Sequence, residues 1–198
     1  MSQRSARISR RSILKAAAAT FAAPTIVPAS VFGSNAPSNR VTLGFIGMGL
    51  HGIGWNLKGF LKFKDAQALA VCDVMKSRRD DAQGLVNKTY GNQDCGSYSD
   101  WRQVIARQDI DAVMISTPDH WHVPMALTAI RAGKDVCCEK PTYTIQQGQV
   151  LTQTVAEHDV VFQTSTEDRS IPVYHRMAEL VRNGRIGKLQ TIRVTLPA

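Results

Sequence analysis

From Val41 onward, apolar residues arrive in two alternating rhythms. Short solid runs occur at Val41–Ile46 and over 68–72, 112–116, 136–138 and 160–163. Between them, apolar residues recur at three- and four-residue intervals. Ile53, Leu57, Phe60 and Leu61 form one such stripe, and Val123, Ala126, Leu127 and Ile130 form another, stopped by Gly133. A short solid run reads as a strand buried on both faces, and the three–four spacing as a helix with one face on a core. The remaining pattern predicts a polar helix over 76–88, a short helix capped by Asp100 and carrying Trp101, Val104 and Ile105, and a helix over 146–158. A last helix is striped by Tyr174, Met177, Ala178 and Val181 and ended by Gly184. Strands each followed by a helix predict an α/β fold, a doubly wound parallel sheet with right-handed crossovers. Residues 188–196 break the rhythm: Leu189, Ile192, Val194 and Leu196 alternate with polar residues, which predicts a half-buried strand of a different sheet. The expected organisation is one folded domain over 37–165, with the start of a truncated C-terminal α/β domain over 166–198.

Charge changes the picture only at the N-terminus. The 198 residues carry 24 Lys and Arg against 16 Asp and Glu, a net charge of +8. Arg4, Arg7, Arg10, Arg11, Lys15 and Arg40 lie in the first forty residues, which contain no acid. The rest therefore has 18 bases against 16 acids and is nearly neutral, so no nucleic-acid footprint is expected on it. Residues 9–15 read Ser-Arg-Arg-Ser-Ile-Leu-Lys, followed by an alanine-rich apolar stretch over 16–27 that is too short for a stable membrane span. A basic region, an apolar region and small residues beyond it make a secretory signal, and the paired arginines resemble the twin-arginine motif. Residues 1–36 are therefore expected to be a twin-arginine signal peptide and linker. The corresponding partner is the twin-arginine export machinery, and the location periplasmic or otherwise exported. The four cysteines, Cys72, Cys95, Cys137 and Cys138, include no C-x-x-C pair and read as small buried hydrophobes rather than disulfides or metal ligands.

The first strand ends in Gly47-Met48-Gly49-Leu50-His51-Gly52, a G-x-G-x-x-G placed between a strand and an amphipathic helix. In that context Gly47 permits the tight turn, Gly49 lets the backbone approach a pyrophosphate, and Gly52 lets helix and strand pack closely. The helix N-terminus offers N–H groups and partial positive charge to phosphates. Asp73 ends the next strand, 21 residues after Gly52, where an acid is expected to hold a ribose 2′-hydroxyl. The arrangement predicts a Rossmann-type NAD(P)-binding domain. Asp73 favours NAD, because its carboxylate repels a 2′-phosphate. Lys76, Arg78 and Arg79 follow closely and keep NADP possible.

Two further clusters sit where strands end. Thr117-Pro118-Asp119-His120-Trp121-His122 follows the strand over 112–116, and Glu139-Lys140-Pro141 follows that over 136–138. Ligands bind at this edge of such sheets. His120 and His122 alone are too few for a zinc site, and no metal is expected.

The glycine loop, the T-P-[DN]-x-x-H turn and the E-K-P triplet, in this order, resemble the glucose–fructose oxidoreductase / inositol dehydrogenase family from Val41 to the last residue. The resemblance implies hydride transfer between NAD(P) and a CH–OH group of a sugar, sugar derivative or cyclitol. It places Lys140 beside the nicotinamide and the reacting carbon as the catalytic residue. It assigns cofactor contact to Gly47, Met48, Gly49, Leu50, His51, Gly52, Asp73, Thr117, Pro118, His122, Glu139 and Lys140. The family's other proton-transfer residues, an aspartate and a histidine of the second domain, have no clear match in Asp168, Arg169 or His175. A homo-oligomer would need that second domain. Some relatives are glycoside hydrolases that oxidise the sugar transiently with bound NAD, and a non-catalytic nucleotide-binding module is the third reading.

Overall fold

The computed structural model describes residues 39–195; the leader and Leu196 lie outside the described residues. Six strands form one parallel sheet: β1 (Val41–Ile46), β2 (Ala66–Cys72), β3 (Gly96–Tyr98), β4 (Ala112–Ile115), β5 (Asp135–Glu139) and β6 (Phe162–Ser165). Their order is β3-β2-β1-β4-β5-β6, so the winding reverses between β1 and β4. A sheet reversed this way opens a crevice at the carboxyl ends of its two central strands.

The helices are α1 (Gly52–Leu57, extended by Lys58–Phe60), α2 (Lys76–Tyr90), α3 (Trp101–Ile105), α4 (Asp119–Arg131), α5 (Ile145–Glu157) and α6 (Pro172–Arg182), with a 3₁₀ turn over Glu167–Ser170. Alternating strand residues serve opposite faces. Leu43, Phe45, Ala112 and Met114 pack with Leu57, Ala82 and Val86. Ile46, Val113, Ile115, Val136 and Cys138 pack with Val104, Val123, Ala126, Ile130 and Leu151. Both clusters are buried, as solid apolar runs require. The predicted ends are kept by specific chemistry: Asp100 Oδ1 accepts from Arg102 N at 2.9 Å, and Gly133 and Gly184 adopt left-handed backbone. All four cysteines are free, and burial pushes the Cys72 and Cys138 thiols up to about 12. Among the described residues no helix is long and apolar enough to cross a membrane.

Three features differ from the sequence reading. Strand β3 was not expected: Gly-Ser-Tyr has no apolar run, and the strand exists because it pairs with the edge of β2. Residues 52–57 form a π-helix rather than an α-helix, with the Lys58 amide bonding back five residues to Ile53 O. Residues 188–195 form no strand and are exposed, since an alternating segment becomes a strand only against a partner edge. The stripe of α6 is likewise exposed at Tyr174, Met177 and Val181.

Candidate functional site

The carboxyl ends of β1, β4 and β5 bring the glycine loop, the turn at 116–119 and the loop at 139–144 to one edge of the sheet. The first two border a cleft of about 620 Å³. Gly47, Gly49, Leu50, His51, Gly52, Asp73, Thr117 and Pro118 line it, along with Arg78, Trp101 and Trp121. Met48, His122, Glu139 and Lys140 are not in its wall.

The glycines divide their work by position. Gly47 has φ +91°, and a Cβ there would lie 2.6 Å from the Ser116 carbonyl. A Cβ on Gly52 would run into the Gly47 carbonyl oxygen. Both close the β1–α1 turn against β4. At Gly49 a Cβ would meet only Arg78 Nη1, at 3.7 Å. Gly49 therefore leaves its space open toward the cleft, where a bound group can reach the backbone. The residues present fit a dinucleotide: an open glycine cradle, the start of a helix at Leu50 to Gly52, and an acid at the end of β2.

Asp73 is buried, held by two backbone amides that local pattern does not reveal. Its Oδ2 accepts from Met48 N at 2.8 Å and its Oδ1 from Met75 N at 2.9 Å. The carboxylate thus ties the glycine loop to the β2–α2 turn, using lone pairs on both oxygens while still facing the cleft. Met48 contributes this amide; its side chain is in the core. Of the three cations proposed for a 2′-phosphate, two are engaged elsewhere. Lys76 Nζ pairs with Asp80 at 2.6 Å, and Arg79 Nη1 donates to the carbonyls of Asp73 at 2.7 Å and Val74 at 3.1 Å. Arg78 lines the cleft, 4.0 Å from Asp73 Oδ2.

Lys140 is exposed, on a loop held at both sides. On one side, Glu139 Oε1 accepts from Asn56 Nδ2 at 3.0 Å and lies 2.9 Å from His51 Nε2. Asn56 Nδ2 also donates to Ser116 Oγ at 2.8 Å, so the π-helical turn links β4 to β5 through one amide. On the other side, His122 is 2 % exposed, with Nδ1 2.9 Å from Pro141 O and Nε2 2.7 Å from Thr117 O. The structure therefore places His122 behind the cleft as a staple between two loops. The Lys140–Pro141 peptide is cis.

Sequence reasoning missed Asn56, Ser116 and Glu167. The only signal for Asn56 was its place one turn beyond Gly52 on the first helix. His51 Nε2 lies 3.6 Å from Glu167 Oε1, and the donor atoms of His51, Glu139 and Glu167 all fall within 4.8 Å of one another. The grouping is built on one hydrogen bond, His51 to Glu139 at 2.9 Å, with Glu167 at ion-pair distance from the same nitrogen. Burial pushes the Glu139 carboxyl up, but hydrogen bonds from Asn56, Ser165 and His51 outweigh it and hold it below the usual carboxylate value. A depressed folded value means stability that is present above the unfolded value and lost as pH falls through the folded one. Glu139→Gln is expected to flatten the acid side of a melting-temperature profile relative to the unaltered chain; identical acid limbs would refute the bonding described.

The chain is similar to proteins already known. A family model described as an oxidoreductase family with an NAD-binding Rossmann fold matches residues 41–166. Levoglucosan dehydrogenase of Pseudarthrobacter phenanthrenivorans is 29% identical over 160 residues, covering 79% of this chain and 40% of that protein. A glycosyl hydrolase family 109 protein of Stenotrophomonas maltophilia is 34% identical over 131 residues, covering 63% of this chain and 28% of that one. The structure of scyllo-inositol dehydrogenase from Lactobacillus casei with bound NAD(H) and scyllo-inositol superposes with a TM-score of 0.65 at 28% identity, over 75% of this chain and 42% of that chain. The chain thus spans about two fifths or less of the length of these relatives. On the match over residues 41–166, with the glycine cradle, the acid after β2 and the E-K-P loop gathered at the reversal point of a six-stranded parallel sheet, this chain belongs to the Gfo/Idh/MocA oxidoreductase family.

Proposed function

We propose that this chain is the nucleotide-binding part of an NAD-dependent oxidoreductase acting at a CH–OH group of a sugar, sugar derivative or cyclitol. The observation that carries the reading is the convergence of the open Gly49 cradle, Asp73 and the clamped Lys140 loop on one edge of the sheet. Bound NAD would supply the hydride acceptor. Gly47 to Gly52 and Asp73 hold the dinucleotide, and Thr117 and Pro118 border its inner end. The Lys140 ammonium donates to the substrate oxygen and stabilises developing alkoxide charge. Glu139, fixed by Asn56 and His51, and Pro141, fixed by His122, hold the backbone on either side of that lysine. With Lys76 and Arg79 engaged elsewhere, Asp73 governs the ribose end and NAD is preferred over NADP; Arg78 is the cation left to receive a 2′-phosphate.

The test is calorimetric titration of the chain with NAD and NADP, then NADH formation by the longest natural form of the protein with levoglucosan and scyllo-inositol. Absence of nucleotide binding by a folded chain would defeat the proposal. The likeness to glycosyl hydrolase family 109 proteins supports a second reading, a glycosidase that oxidises and re-reduces its substrate. Release of an aglycone without net NADH would select it.

We further propose that residues 166–198 begin a second, substrate-binding domain, on which any homo-oligomer depends. The bare apolar stripe of α6 and the greater length of the relatives support this. Export through the twin-arginine pathway rests on Arg10 and Arg11 and is consistent with cysteines that are all free. Replacing both arginines by lysine is expected to retain the protein in the cytoplasm; unchanged export would remove that assignment.

A further inference from the structure

Beside Lys140 the loop takes a shape that folding does not explain. Thr144 N donates to Thr142 O at 2.8 Å, a bond spanning two residues, and the central residue Tyr143 has φ 66°. This is the rarer, strained form of a three-residue turn, and Tyr143 is the one described non-glycine residue with positive φ. Backbone strain of this kind persists where something else maintains it. Core packing does not, since the Tyr143 side chain is 63% exposed.

What the turn achieves is to present the ring. Tyr143 faces His120 edge-on, with centroids 6.5 Å apart, and His120 lies 5.9 Å from Trp121. Trp121 is 40% exposed and also lines the cleft, beside Thr117, Pro118 and Met125. Three rings from the first turn of α4 and from the Lys140 loop therefore form one aromatic cluster, with His120 tilted 45° to Trp121 and 70° to Tyr143. It runs from the inner end of the cleft to the loop that carries Lys140.

We infer that His120, Trp121 and Tyr143 form a stacking platform for the ring of a cyclic polyol. Aromatic faces carry partial negative charge and attract the polarised C–H bonds of a ring face. A six-membered ring with its hydroxyls equatorial offers a bare C–H face to the platform. Its hydroxyl edge is then left to polar groups such as the Lys140 ammonium. An acyclic polyol has the same hydroxyls but no such face. The platform selects cyclic over open-chain substrates and rings with equatorial hydroxyls over rings with axial ones. This rests on the oxidoreductase reading, because Lys140 and the cleft give the platform its place.

The test uses the longest natural form of the protein with NAD present and three probes: scyllo-inositol, methyl β-glucopyranoside and sorbitol. Saturation-transfer NMR is expected to show the ring C–H protons of the first two in contact with protein, and little transfer to sorbitol. Tyr143→Asn keeps a residue that tolerates left-handed backbone and removes the ring, and Trp121→Ala removes the central ring. Each is expected to weaken scyllo-inositol about 10-fold. Tyr143→Asn is expected to leave NAD affinity within about twofold, since Tyr143 is outside the nucleotide cleft. Equal transfer to sorbitol, no transfer to either ring probe, or unchanged scyllo-inositol affinity in both variants would overturn the platform. Those results leave NAD binding intact. Loss of NAD binding by the unaltered chain would instead sink the oxidoreductase reading, so the two failures are told apart.

Discussion

Gly49→Val is expected to leave the chain folded and to remove its affinity for NAD. A Cβ at position 49 meets nothing closer than the end of the Arg78 side chain, at 3.7 Å, so the apo fold has room for it. The same space is where a pyrophosphate must approach the backbone. A branched side chain there forfeits close contact with several amide donors at once, and the affinity loss is expected to reach about 100-fold or more. Gly52→Val makes the contrasting case. Its Cβ collides with the Gly47 carbonyl, a backbone atom that cannot swing away, so this variant is expected to melt well below the parent. Calorimetry and thermal unfolding on the two variants separate a binding glycine from a folding one. Retained NAD affinity in Gly49→Val would mean that the loop is only a turn.

Lys140→Ala is expected to lower turnover by roughly 10²-fold or more in the longest natural form of the protein, with NAD affinity little changed. The lysine is exposed and outside the nucleotide cleft, so its loss disturbs neither the core nor the glycine cradle. Its backbone neighbours are held by Asn56, His51 and His122, which keeps the loop in place when the side chain is shortened. A kcat that does not fall would remove Lys140 from the chemistry. A fall in kcat with parallel loss of NAD binding would show that the loop, rather than the ammonium, had been damaged.

The alternation of solid apolar runs and three–four stripes was enough for the sheet, its parallel sense and all but one of its strands. The reason is that burying a strand on two faces leaves an unmistakable local signature. The short edge strand Gly96–Tyr98 leaves none, since its existence depends on a neighbour's open edge. Residues 188–195 show the converse: a strand-like alternation without a paired edge forms no strand. The glycine loop, Asp73 and the E-K-P triplet were readable because each sits in a fixed order along a strand–turn–helix unit. Their partners were not. Glu139 meets His51 across 88 residues and Asn56 across 83, and His122 meets Pro141 across 19. Contacts of that kind come from strand order, which sets the ends of β1, β4 and β5 side by side. The bonding of Asp73 to Met48, the staple at His122 and the rings gathered around His120 belong to the tertiary structure alone, because they depend on segments separated in sequence converging at one edge of a sheet.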